Sequence, residues 1–130
     1  MRRQSQALSY RLTSFSIQSG IAEGLEFLHA HMVLHLDLKA ENVLLEYDQD
    51  DPEHFGMPRP VLSDFGSSEA RNRLLHRERT GYTGTLDYVA PEALQVNRAT
   101  GRFRELDAAC DLWSLGLLLV SPRRPRESPG

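Results

Sequence analysis

Cysteine is nearly missing from this chain: Cys110 is the single thiol among 130 residues. One thiol excludes an intrachain disulfide and a zinc site built from cysteines. An excess of charge of one sign is missing too. Fifteen Lys and Arg stand against 18 Asp and Glu, a formal net charge of -3, so no global field draws the chain to nucleic acid or to an anionic membrane. Long apolar runs are absent. The longest, Leu117-Leu118-Leu119-Val120, falls far short of the roughly 20 residues that a membrane-spanning helix needs. Met1-Arg2-Arg3-Gln4-Ser5 lacks the apolar stretch of a secretory signal. These shortages predict an intracellular, cytoplasmic chain with no nucleic-acid partner and no membrane partner.

What is present divides into segments of different character. Leu8, Leu12, Phe15, Ala22, Leu25, Leu28 and Met32 recur mostly at three- and four-residue steps, which predicts an amphipathic helix over residues 9–31. Gly20 and Gly24 interrupt it at a cost of about 1 kcal/mol each relative to Ala, which points to close approach of another element. Asn42-Val43-Leu44-Leu45 and Val61-Leu62 read as short strands. Between them, residues 48–60 hold four acidic residues, three prolines and a glycine, the composition of a solvated loop. No period persists over residues 67–89, where Arg71, Arg73, Arg77 and Arg79 precede a run rich in Thr, Tyr and Gly. Those arginines read as a solvated loop in preference to a docking patch for an acidic partner. Pro91 opens a short helix, because proline is tolerated in a first turn. Residues 107–120 predict a strongly apolar helix. The last ten residues, 121–130, hold three prolines and no large apolar side chain, which predicts a disordered tail.

Chemistry concentrates in three motifs. His35-Leu36-Asp37-Leu38-Lys39-Ala40-Glu41-Asn42 is followed by Asp64-Phe65-Gly66 and then by Ala90-Pro91-Glu92. They supply a carboxylate base, an ammonium to face a phosphate, and two oxygen ligands for a metal. In this order they resemble the C-terminal lobe of the eukaryotic-type protein kinases, serine/threonine branch, over residues 17–120. The loop at 48–60 and Gly81-Tyr82-Thr83-Gly84-Thr85-Leu86-Asp87-Tyr88 also resemble a group of fungal members. The resemblance implies a mainly α fold with short β-hairpin elements, in which residues 1–120 form part of a catalytic domain. It implies ATP and Mg²⁺ as cofactors and a protein as substrate. Asp37 would be the catalytic base, a role that contributes about 10²–10⁴-fold. Lys39 would face the transferring phosphoryl group, and Thr85 would bridge Asp37 and Lys39. Asn42 and Asp64 would hold the metal, with Lys39 helping to bind the nucleotide. Asp111 would anchor the backbone near His35, His35 and Phe65 would belong to one apolar column, and Val89 would help to line the pocket for a peptide.

Two departures carry expectations of their own. Leu36 stands where most of the family has an arginine that grips a phosphate on the activation segment. Leucine cannot do so, which predicts a site independent of phosphorylation at Thr80, Tyr82 or Thr83 by that route. In addition, no Gly-x-Gly-x-x-Gly and no Val-Ala-x-Lys occurs, so the family's nucleotide-covering elements are not found. The expectation is a fragment, inactive alone, whose apolar second helix lacks partners and makes the isolated chain poorly soluble or partly folded. A truncated gene product and an authentic tail remain alternatives for residues 121–130. A catalytically silent interaction module remains the alternative function, ahead of a small-molecule phosphotransferase.

Overall fold

The computed structural model describes residues 2–48, 50, 56–70, 79 and 81–120, with residues 2–5, 7 and 10 described by their backbone alone. The tail at 121–130, Arg71, Arg73, Arg77 and Thr80 lie outside the described residues. Helix α1 spans Arg2–Ala30. It begins well before the expected residue 9, because residues 2–8 carry Arg, Gln and Ala, which favour helix although they add little to the apolar period. The face that packs matches the expected one only in part. Leu8, Leu12 and Phe15 are exposed, Phe15 at 71%, whereas Leu25, which belongs to the expected period, is buried at 1% exposure, together with Ile17 and Ile21, which do not. The helix has two apolar stripes, and the one bordered by Gly20 and Gly24 is covered. A Cβ on Gly20 would lie 2.5 Å from Pro60 Cγ, and one on Gly24 would lie 3.4 Å from Leu62. The glycines are therefore where a strand approaches the helix, as their cost suggested. Met32, at φ 60°, turns the chain out of α1 in the left-handed conformation common after a helix end.

Among the described residues four short strands follow: β1 (Val33–Leu34), β2 (Val43–Glu46), β3 (Arg59–Leu62) and β4 (Glu69–Ala70). They form two antiparallel two-stranded sheets. In one, Val43 pairs with Leu62 and Glu46 with Arg59; in the other, Val33 pairs with Ala70 and Leu34 with Glu69. The β2–β3 pair is the expected hairpin, lying across α1. Pairing of β1 with β4 joins segments far apart in sequence, which strand-length runs of two residues could not announce. Pro91–Leu94 forms a short 3₁₀ helix, as does Leu86–Tyr88. Helix α2 spans Ala108–Val120, with Asp107 as its cap: the Asp107 carboxylate accepts from Ala109 N at 2.8 Å.

Two apolar clusters result. Ile17, Ile21, Leu25 and Leu38 are packed by Val43, Leu62, Leu115 and Leu118; Leu34, Leu36, Ala90, Ala93, Leu106 and Cys110 form the second. Between them runs the segment from His35 to Asn42, so the chemical residues sit on a loop clamped by core on both sides. Two helices with small antiparallel sheets agree with the expected helix-dominated fold in outline. No helix among the described residues is long and apolar enough to cross a membrane.

Candidate active site

The loop that follows β1 is shaped by a buried carboxylate. Asp111 on α2 is 1% exposed. Its Oδ2 accepts from His35 N and its Oδ1 from Leu36 N, both at 2.8 Å. That is the anchoring role expected of it. A second partner was not foreseen: His29 Nε2 at the end of α1 donates to Asp111 Oδ2 at 2.8 Å, the nitrogen carrying the proton because a carboxylate can only accept. A histidine one position before a helix end carried no motif to flag it. These bonds hold Leu36 at φ 66°, a left-handed conformation that costs a non-glycine residue about 1–3 kcal/mol and clusters at functional sites. The Leu36 side chain meanwhile points into the second apolar cluster. The turn thus delivers Asp37 out of the core while its neighbours remain inside it.

His35, fully buried, ties two loops together. Its Nε2 donates to Ser63 O at 2.9 Å, and its Nδ1 accepts from Asp37 N at 3.2 Å. Its ring lies 5.2 Å from that of Phe65. Of the expected apolar column the described residues show this one ring pair, with Phe65 half exposed. Ser63 is gripped from the other side as well, donating to Asn42 O through N at 2.9 Å and through Oγ at 3.1 Å. Asp64 is the next residue. It lies at φ 59°, its Oδ1 accepting from Gly66 N at 3.4 Å.

Asp37, Lys39, Asn42 and Thr85 come together as a hydrogen-bonded set. Asn42 Nδ2 donates to Asp37 O at 2.7 Å and to Asp37 Oδ2 at 3.3 Å. Thr85 Oγ1 donates to Asp37 Oδ1 at 2.7 Å and accepts from Lys39 Nζ at 2.8 Å, while Lys39 Nζ lies 3.9 Å from Asp37 Oδ2. Thr85 reaches the site because Gly84, at φ 94°, lets the backbone press against Leu36 O; a Cβ there would lie 2.4 Å from that oxygen. Downstream, Ser114 Oγ donates to Tyr88 O at 2.6 Å, a bond the sequence did not suggest. Val89 packs against the cluster that holds Leu36, so it is a core contact first.

The donor set suits a hard cation that arrives with its own ligands. With both Asn42 Nδ2 bonds spent on Asp37, the Asn42 carbonyl oxygen is the atom left to coordinate. Asp64 Oδ2 receives no hydrogen bond from the described residues. One amide oxygen and one carboxylate match Mg²⁺, which keeps waters and phosphate oxygens in its shell. Among the described residues no group of three or more His, Cys, Asp and Glu gathers as a metal cage. Away from these loops, burial raises the Cys110 thiol above its ordinary value, and Glu92 adds to the effect; partial burial lowers the Arg79 guanidinium, which Glu69 opposes.

Residues 2–123 match the protein kinase domain family, and the chain belongs to that family. It is 34% identical over 109 residues to a probable serine/threonine-protein kinase iksA of Dictyostelium discoideum, covering 76% of this chain and 11% of that protein. It is 36% identical over 98 residues to an Aurora kinase of Debaryomyces hansenii, covering 75% and 20%. A lectin-domain containing receptor kinase VI.3 of Arabidopsis thaliana is 34% identical over 132 residues, covering 97% and 17%. The chain thus spans a fifth or less of the length of these relatives.

Proposed function

We propose that this chain is part of the catalytic lobe of an intracellular serine/threonine protein kinase, which transfers the γ-phosphoryl group of ATP to a protein hydroxyl with Mg²⁺. The observation that supports this most is the hydrogen-bonded triad of Asp37, Thr85 and Lys39, with Asn42 locked onto Asp37. Asp37 orients the substrate hydroxyl and takes its proton as the oxygen bonds to the γ-phosphorus. The bond from that phosphorus to the β–γ bridging oxygen breaks, and ADP leaves. Lys39 offsets the negative charge that spreads over the phosphoryl oxygens in a loose transition state. Asn42 and Asp64 are the residues that would hold Mg²⁺, whose charge would offset that of the phosphates.

The preference for serine and threonine is supported by the Lys39–Thr85 bond and by the similarity to the probable serine/threonine-protein kinase iksA of Dictyostelium discoideum. The intact bonding at Asp37 favours an enzyme over a silent interaction module, since a module has no use for a base held on three sides. Phosphoryl transfer from labelled ATP to a mixed Ser/Thr and Tyr peptide library, with Mg²⁺ and the full-length polypeptide, tests the reading. Transfer to Ser and Thr is expected to fall by about 10²-fold or more in Asp37→Asn, with nucleotide binding retained. In Asp64→Asn the Mg²⁺-dependent part of nucleotide binding is expected to be lost. Undiminished transfer in Asp37→Asn would remove Asp37 from the role of base.

A further inference from the structure

Residues 95–104 reverse direction in a loop that no motif marks. Asn97 N donates to Arg102 O at 2.7 Å, Gly101 N to Asn97 O at 2.8 Å, and Arg104 N to Gln95 O at 3.1 Å. On the return, Phe103 bridges antiparallel to Val96 on one side and to Arg79 on the other. The second bridge is reciprocal: Arg79 N donates to Phe103 O at 3.0 Å and Phe103 N to Arg79 O at 2.8 Å. The Arg79 side chain adds bonds to separate stretches of backbone. Nε donates to Arg104 O at 2.9 Å, Nη2 to Ala93 O at 2.9 Å and Nη1 to Gly81 O at 3.3 Å. Its guanidinium carbon lies 5.9 Å from the centre of the Phe103 ring, and the Tyr82 ring lies 6.5 Å from the same centre.

Arg79 stands six residues before Thr85. We propose that Arg79 and Phe103 are positioning residues: their backbone bridge and the Arg79 fork fix the upstream end of the segment that carries Thr85, and so set the Asp37–Thr85–Lys39 triad without a phosphate on that segment. Two hydrogen bonds at Thr85 do not offset the entropy of ordering the six residues that lead to it. The downstream end is already held by Ser114 on Tyr88, and Gly84, at φ 94°, lies so close to Leu36 O that a Cβ would fall 2.4 Å from it. A guanidinium suits this task because its planar fork spreads five donors in fixed directions toward carbonyls that lie apart, whereas an ammonium is a compact point charge with three. Leu36, buried among Leu34, Ala90 and Ala93, offers no charge to do the same work from the other side.

The inference rests on the kinase reading for its catalytic consequence, and its test keeps the two apart. Amide hydrogen exchange over residues 84–88 and peptide-phosphorylation kinetics are measured on the full-length polypeptide, as wild type, Phe103→Ala, Arg79→Gln and Phe103→Tyr. Faster exchange at 84–88 is expected in the first two variants, with protection of residues 17–25 unchanged. A fall of about tenfold or more in kcat is expected with them, with KM for ATP within roughly twofold. Phe103→Tyr, which keeps ring and backbone, restores both. Phosphatase treatment of the wild type leaves exchange at 84–88 and kcat as they were. Wild-type exchange at 84–88 in both disruptive variants overturns the proposal, as does activity abolished by phosphatase. If Phe103→Ala loses protection at 17–25, Arg79→Gln decides alone. A wild type that phosphorylates nothing refutes the kinase reading, while the exchange data still decide whether Arg79 and Phe103 order the segment.

Discussion

At the scale of single residues, the site depends most on a side chain that touches no substrate. Asp111 accepts from His35 N, Leu36 N and His29 Nε2 while almost fully buried. Replacing it with alanine strands two backbone donors inside the protein, at about 1–3 kcal/mol each, against a whole-domain stability of about 5–15 kcal/mol. Asp111→Ala is therefore expected to lower the urea midpoint steeply. Asp111→Asn keeps one carbonyl acceptor for one of the two donors and loses clearly less. Equal losses in urea titrations of the two variants would mean that the carboxylate bonds contribute little. The anchoring role of Asp111 was legible in sequence only through resemblance. Its partner His29 was not legible at all, because 82 residues separate the two and neither carries a local mark of the other. Asp37, Lys39 and Asn42, within six residues of one another, were readable as a group for the opposite reason, since their spacing is their geometry. A leucine at position 36 carries no side-chain donor with which to grip a phosphate. Its burial adds that Leu36→Arg would force a guanidinium into an apolar cluster, a change costly in itself.

At the scale of elements, the helix pattern and the packed face overlap only in part, sharing Leu25 but not Leu8, Leu12 or Phe15. The apolar positions of α1 are plentiful enough to draw two stripes, and periodicity alone does not say which meets the sheet. The glycines do. Gly20 faces the rigid ring of Pro60, and a Cβ would overlap it at 2.5 Å; Gly24 faces Leu62 at 3.4 Å, an ordinary contact. The two positions should then respond with opposite signs to the same substitution. Gly20→Ala gains about 1 kcal/mol of helix propensity but costs about 1–3 kcal/mol of overpacking, a net loss because Pro60 sits in the β2–β3 ladder and cannot swing aside. Gly24→Ala keeps most of the propensity gain and is expected to be neutral or stabilising. Thermal melts of the two variants check this, and a Gly20→Ala protein as stable as Gly24→Ala would show that the sheet shifts freely on α1. The boundaries of α2 were legible because Asp107 caps it and leucines fill it. The β1–β4 pairing was not, since its register is set by the loop it closes rather than by its own residues.

At the scale of the whole molecule, the described surface is more apolar than its near-balanced charge suggests. Phe15 and Leu12 on α1 and Leu112, Trp113 and Val120 on α2 are exposed. Poor partnering of α2 was expected from its apolar composition; the exposed stripe of α1 adds to that surface. Contiguous exposed apolar patches larger than a few hundred Å² are uncommon on soluble monomers and favour association. Each fully covered Leu or Phe side chain gains about 1.5–3 kcal/mol, so even partial cover of these residues by a second chain outweighs the weak repulsion of a net charge of -3. The 130-residue chain on its own is therefore expected to self-associate at micromolar concentration, seen as species heavier than a monomer in sedimentation velocity. Phe15→Glu combined with Leu112→Glu should shift the distribution toward monomer. It should leave protection of His35 N and Leu36 N unchanged, because neither substitution reaches the bonds of Asp111. A wild-type chain that sediments as a single monomeric species would mean that the two exposed stripes cover each other in solution or carry too little continuous area to bind.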